Sequence, residues 1–360
     1  MNARPLRHAA LAGATLLIVL GAPPAIALGA SSPATALGAP PVRAAHAAGT
    51  PAPGPGGVQA FILPTAPDSL TDLRAHAAEV SVVYPTYFEC EPGGGAIEGH
   101  DEPALDAAIA ALAIPMLPRF TCQDGATVDL LLREPRLRAR TLDQLLALAR
   151  NPAYAGLSLD LENAPGEDRA PFSSFVAALA RGLHLMHRKL TVVVDGVPRE
   201  EPRRQTYLYD DNAIAAAADN VFVLAWGVHW AGSAPGPIAP LPWVRRVVAH
   251  ILSLPHARRF VLGVPMYGLD WGTTAKATAR QFAEVSALAH SVGAQTLRDR
   301  SADELTFAYD GPGGTPHRVW YLDGRSIRDR LALAHSAGLA AGVWRLGRED
   351  QTLWASPFIA

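Results

Sequence analysis

Short apolar runs alternate with amphipathic stretches along most of this chain. The runs cover residues 58–64, 80–88, 113–121, 156–163, 189–196, 220–227, 259–268 and 339–347. Apolar positions recur at helical spacing over 68–79, 102–112, 141–150, 171–187, 242–252, 279–291 and 326–337, with a shorter helix expected over 210–220. Strands alternating with helices predict a parallel sheet, since a helix must carry the chain back before the next parallel strand. Eight runs point to an α/β fold of the (β/α)8 or TIM-barrel type. A small β-hairpin is expected between strands 7 and 8, over 304–324. A doubly wound open sheet is the competing architecture, and no Gly-rich phosphate loop follows the first run to support it.

One run carries polar residues in a regular pattern. In 156–163, Leu157, Leu159 and Leu161 alternate with Ser158, Asp160 and Glu162. Side chains two apart on a strand share a face. In a barrel the leucines would pack under helices, and the three polar residues would face inward. Glu162 would then lie at the C-terminal end of its strand, where barrel active sites form. Asp160 and Glu162 would stand roughly 6–7 Å apart at Cα. Two close carboxylates raise the pKa of one of them. That suits a catalytic acid better than a core. The bland alternative is an edge strand with its polar face in water.

The pattern stops before residue 58. Residues 28–57 are rich in Ala, Pro, Gly and Ser and read as a disordered tether. Arg4 and Arg7 precede an apolar run over 9–20, and small residues follow near Ala25 and Ala27. This reads as an export signal over 1–27, with an uncleaved signal-anchor as the alternative. The run is short for a membrane span. The expected organisation is therefore signal, tether and a barrel domain over 58–360, in a secreted or periplasmic protein. Export permits a disulfide. Cys90 and Cys122 are the only cysteines, and both follow neighbouring expected strands, which favours a bridge over two free thiols. The net charge of −2 lacks the basic footprint of a nucleic-acid binder.

The run 156–163 resembles the fourth strand of family 18 glycoside hydrolases, whose motif is D-x-x-D-x-D-x-E. The nearest subgroup resembled is that of spore-germination and cortex-lytic N-acetylglucosaminidases, in which this strand often ends in D-x-E-N. Segments 229–244, 261–271 and 343–354 extend the likeness in the family's order. By this resemblance Glu162 is the catalytic acid and Asp160 orients the substrate acetamide. Ser158 stands where many members carry a second Asp, and Ala155 replaces the first Asp of the longer motif. Trp344 matches the tryptophan at the floor of the sugar subsite, and Tyr267 a tyrosine ending the seventh strand. The family's sixth-strand M-x-Y-D corresponds here to Leu224, Ala225, Trp226 and Gly227. Trp226 keeps an aromatic ring and an N–H, and Gly227 keeps nothing of the Asp.

The resemblance implies a glycosidase of β-linked N-acetylglucosamine glycans, such as peptidoglycan, chitin-type oligomers or exopolysaccharide. Its mechanism would be retaining and substrate-assisted. Neither cofactor nor metal is implied, and a monomer is expected. His229 is read as a substrate-subsite or supporting residue; no close H-x-x-E-H-type spacing supports a metal there. Tyr84 and Asp195 lie near expected strand ends, where each either lines the cleft or caps a loop. Trp230, Trp243 and Trp271 are candidate sugar platforms, with Trp243 read as core. The competing function is a glycan-binding, lectin-like envelope protein on a weakened barrel; a purely structural protein leaves the carboxylate pair without a role.

Overall fold

The computed structural model describes residues 57–94, 96–201, 207–272 and 276–355. The expected signal, and the tether apart from Gly57, lie outside the described residues. The strands in chain order are β1 (Val58–Ile62), β2 (Val80–Cys90), β3 (Ile97–Gly99), β4 (Arg119–Cys122), β5 (Gly156–Leu161), β6 (Lys189–Asp195), β7 (Asn220–Leu224), β8 (Phe260–Pro265), β9 (Gly268–Trp271), β10 (Thr278–Arg280), β11 (Leu297–Asp299), β12 (Glu304–Asp310), β13 (Pro316–Tyr321) and β14 (Ala340–Trp344).

Strands β1, β14, β8, β7, β6, β5, β4 and β2 pair side by side in that order, and β1 pairs again with β2. All eight pairings are parallel. The sheet is thus a closed eight-stranded barrel, which leaves none of these eight strands with an open edge. Short β3 hangs antiparallel from the end of β2.

The helices are α1 (Pro67–Ala75), α2 (Pro103–Ala111), α3 (Gly125–Arg133), α4 (Pro135–Leu148), α5 (Arg169–Leu185), α6 (Asp211–Ala217), α7 (Leu241–Leu252), α8 (Phe282–Ser291) and α9 (Gly324–Ser336). Helix α3 was not among the expected elements. Asp124 caps it, its carboxylate accepting from Thr127 N at 3.1 Å. Val128, Leu131 and Leu132 form its buried face. Among the described residues, no helix is long and apolar enough to cross a membrane.

The expected hairpin forms from β12 and β13, antiparallel from Leu305↔Tyr321 to Asp310↔Pro316. It is larger than expected. β9, β10 and β11 extend it to a five-stranded antiparallel sheet in the order β10-β9-β13-β12-β11. Val285 and Ala289 of α8 pack on Phe307, Val319 and Tyr321, giving this insertion its own core.

Two apolar layers follow from strand alternation. Leu157, Leu159 and Leu161 join Phe172, Phe175 and Val176 of α5 outside the barrel. Phe61, Tyr84, Leu117, Val193, Phe222 and Val261 fill its interior. Gly263 and Gly342 make room for the Phe222 ring, which would lie 2.4 and 2.2 Å from a Cβ at those positions. The interior is therefore a packed plug, and the polar ends of the strands stand above it.

Candidate active site

The β4–β5 register sets Arg119 beside Ser158 and Thr121 beside Asp160. All four are interior-facing and buried. Sequence reading passed over Arg119. In the structure its Nε donates to Asp160 Oδ2 at 2.6 Å, and its Nη2 donates to the same oxygen. Nη2 also lies 3.8 Å from Glu162 Oε1. The guanidinium rests over Trp344 at 4.9 Å and near Phe61 at 5.7 Å, positions favourable for cation–π attraction. Phe61 and Trp344 themselves meet at 5.1 Å. One cation thus ties Asp160, Glu162 and the aromatic floor together. The only signal in the sequence was a lone Arg inside an apolar run.

Asp160 Oδ1 is buried without a protein partner. Glu162 sits one step nearer the barrel mouth, its side chain 18% exposed. Its N–H donates to Cys122 O at 2.9 Å, and Gln123 Nε2 donates to its Oε1 at 3.0 Å. Asn163 closes the arrangement by donating to Gln123 O at 2.8 Å. Burial, followed by the charges of Asp160 and Asp195, pushes the Glu162 carboxyl up to about 8; the Gln123 hydrogen bond and Arg119 oppose this. Glu162 is therefore protonated at neutral pH, as a general acid must be.

The expected disulfide is present. Cys90 and Cys122 are bonded with Cα atoms 5.2 Å apart, closing the ends of β2 and β4 next to Gln123.

The other named residues separate into cleft and support. Trp344 ends β14 and is partly exposed above the plug. Trp226 is partly buried against both apolar layers. Tyr267 is partly buried between β8 and β9, and burial raises its hydroxyl pKa. Tyr84 is a correction. It lies mid-strand in the 11-residue β2, beside Phe61, and is fully buried. Its hydroxyl donates to Gln59 and lies 3.1 Å from Thr191 Oγ1. It supports the floor from below and does not line the cleft. Ser158 is likewise fully buried beneath Asp160.

His229 belongs to the β7–α7 loop. Its Nδ1 donates to Ala234 O at 3.0 Å, and its ring lies so close to Gly236 that a Cβ there would fall 2.4 Å away. The same loop is held from the insertion. Ile238 N and Ala239 N donate to Glu304 at 2.8 and 2.7 Å. Ile238 O in turn accepts from Gly227 N at 2.9 Å. Trp230 is 58% exposed, whereas Trp243 and Trp271 are buried, with indole N–H groups donating to Glu201 and to Ser233 O.

Comparison with known proteins gives the family and agrees with the fold. The sequence model of the family described as "Glycosyl hydrolases family 18" matches residues 124–349. The chain is 27% identical over 237 residues to a Bacillus subtilis protein named "Uncharacterized glycosylase YvbX", covering 64% of this chain and 68% of that one. It is 24% identical over 268 residues to the "Cortical fragment-lytic enzyme" of Bacillus anthracis, covering 70% of this chain and 62% of that one. The crystal structure of a chitinase from Chromobacterium violaceum superposes with a TM-score of 0.73 at 27% identity, covering 83% of this chain and 97% of that one.

Proposed function

From the premise that this chain belongs to glycosyl hydrolase family 18 and is a glycosidase, we propose that it cleaves β-linked N-acetylglucosamine glycans by a retaining, substrate-assisted route. The observation that carries this reading is a mostly buried carboxyl at a barrel strand end, two residues from a carboxylate paired with a buried arginine. Glu162 would donate its proton to the glycosidic oxygen as the C1–O bond breaks. The substrate's acetamide oxygen would attack C1 and form an oxazolinium ring. Asp160, anionic beside Arg119, would stabilise the positive nitrogen of that ring. Glu162, now a carboxylate, would take a proton from water as that water attacks C1 and reopens the ring. Trp344 would offer an aromatic face to the sugar, with Trp226, Tyr267 and His229 along the cleft.

The substrate class is peptidoglycan, chitin-type oligomers or an exopolysaccharide. The relatives' names, a cortical fragment-lytic enzyme and a chitinase, support this choice. The export signal read at 1–27 supports a secreted or periplasmic location, where a polymeric substrate would be met, and we propose that the enzyme acts there as a monomer.

The test is product analysis on N-acetylglucosamine oligomers and purified peptidoglycan with wild type and Glu162→Gln. Gln keeps the shape and cannot supply the carboxylic proton, so hydrolysis should fall about 10²–10⁴-fold with glycan binding retained. Gly227, with no side chain where a carboxylate was expected, favours a second reading as a lectin-like binder. Binding without hydrolysis by both proteins would establish that reading and end the first.

A further inference from the structure

A carboxylate, Asp195, ends the strand next to the one that leads to Gly227. Strands β5 and β6 pair with Ser158 opposite Thr191 and Leu159 opposite Val192. The same register, continued to the strand ends, sets Glu162 beside Asp195. Thr191 meets Tyr84 inside the barrel, and Val193 belongs to the interior plug. Alternation then turns Asp195 inward as well. On its other side Asp195 pairs with Leu224, two residues before Trp226. Asp195 therefore stands between the acid and the Trp226–Gly227 corner.

This strand end is firmly held. The Tyr207 hydroxyl donates to Asp195 O, and Gly196 N donates to Leu224 O at 3.0 Å. Asp195 is only partly buried, so it faces the mouth of the barrel. Its charge is felt at Glu162 and at Tyr209, whose hydroxyl donates to Leu161 O at 2.9 Å.

Resting on the substrate-assisted reading, we propose that Asp195 supplies the carboxylate this chain lacks at Gly227: it faces the reacting N-acetylglucosamine unit beside Glu162 and stabilises the positive oxazolinium. The charged and titratable groups facing Glu162 are then Asp160 on its own strand, Arg119 from β4, Asp195 from β6 and Tyr209 from the segment before α6. Two anions and one cation around the protonated Glu162 leave a net negative site, matched to a transition state that gains positive charge.

The experiment compares wild type, Asp195→Asn, and Asp195→Asn combined with Gly227→Asp, on an N-acetylglucosamine oligomer and on the N-acetylglucosamine thiazoline that mimics the oxazolinium. Asp195→Asn should lower kcat about 10–10²-fold with a smaller change in KM, and weaken thiazoline binding in parallel. The alkaline limb of its kcat/KM profile should move to lower pH by on the order of one unit, because a neighbouring negative charge has been removed. A Cβ at Gly227 meets nothing within 4 Å, so a side chain has room there despite the positive φ of 82°. The double variant should regain part of the lost rate, which a merely structural defect would not allow. An Asp195→Asn enzyme with unchanged kcat, thiazoline affinity and pH profile overturns the proposal, as does a loss of rate explained by a lowered unfolding midpoint and not rescued at Gly227. If wild type hydrolyses no such glycan, the hydrolytic reading fails first. Unchanged oligomer affinity in Asp195→Asn would then remove Asp195 from the site independently.

Discussion

Arg119 is the residue on which the electrostatics turn. It neutralises Asp160, moderates the rise in the Glu162 pKa, and lies against the Trp344 ring. Arg119→Met would keep much of the apolar stem and remove the charge. A buried carboxylate left unpaired costs on the order of 3–5 kcal/mol, or it takes up a proton instead. The second outcome removes the anion that the oxazolinium needs, and the first destabilises the site that holds it. Denaturant unfolding should therefore show a clear loss of stability, and kcat should collapse. Where Asp160 stays ionised, any residual activity should persist to higher pH than in wild type, since a cation that favoured ionised Glu162 is gone; where Asp160 takes up a proton, its charge is lost as well and the alkaline limb should move to lower pH. Residual activity with its alkaline limb unmoved would show that Arg119 does not act on Glu162.

At the scale of elements, the disulfide joins the ends of two adjacent strands, β2 and β4, 32 residues apart in the chain. It constrains the unfolded chain and, in the native state, anchors the backbone that carries Gln123 to Glu162. Cys90→Ser with Cys122→Ser should cost about 3–4 kcal/mol in the loop-entropy model, read as a lower midpoint in denaturant unfolding. An unchanged midpoint would mean that the closed barrel already fixes these two strand ends. The strands themselves were legible because each lies in a short, mostly apolar or alternating run bounded by turn residues. The catalytic pair was legible because alternation in 156–163 assigns each side chain to a face. Tyr84 was misplaced because it stands in the middle of its run and pairs with Phe61 in the barrel wall, well short of the strand's C-terminal end at Cys90. Strands β9, β10 and β11 have only three or four residues each, too few for any period to emerge, so the insertion read as a lone hairpin. Asp195 could be seen as a strand-end carboxylate, but its neighbour across the sheet depends on register, which a single strand does not state.

For the whole molecule, the site has a thermodynamic signature. Glu162 has a folded pKa of about 8, well above the ordinary carboxylate value of 4.5. Below pH 4.5 it is protonated whether the chain is folded or unfolded, and its full contribution to stability is present. Between pH 4.5 and 8 the folded protein holds a proton that the unfolded chain releases, so stability falls as pH rises. Above about 8 the folded state must carry a mostly buried anion beside Asp160 and Asp195. Glu162→Gln removes this titration while keeping size and polarity. The variant should therefore lose less stability than wild type between pH 5 and 9, and should be the more stable protein at pH 9. Thermal unfolding midpoints of the two proteins across that range provide the check. Parallel curves would mean that Glu162 titrates in the folded protein as an ordinary exposed carboxylate, and with that the protonated acid at neutral pH would be lost. Curves that converge at pH 5 and separate by pH 9 would locate the cost of catalysis in this one buried proton.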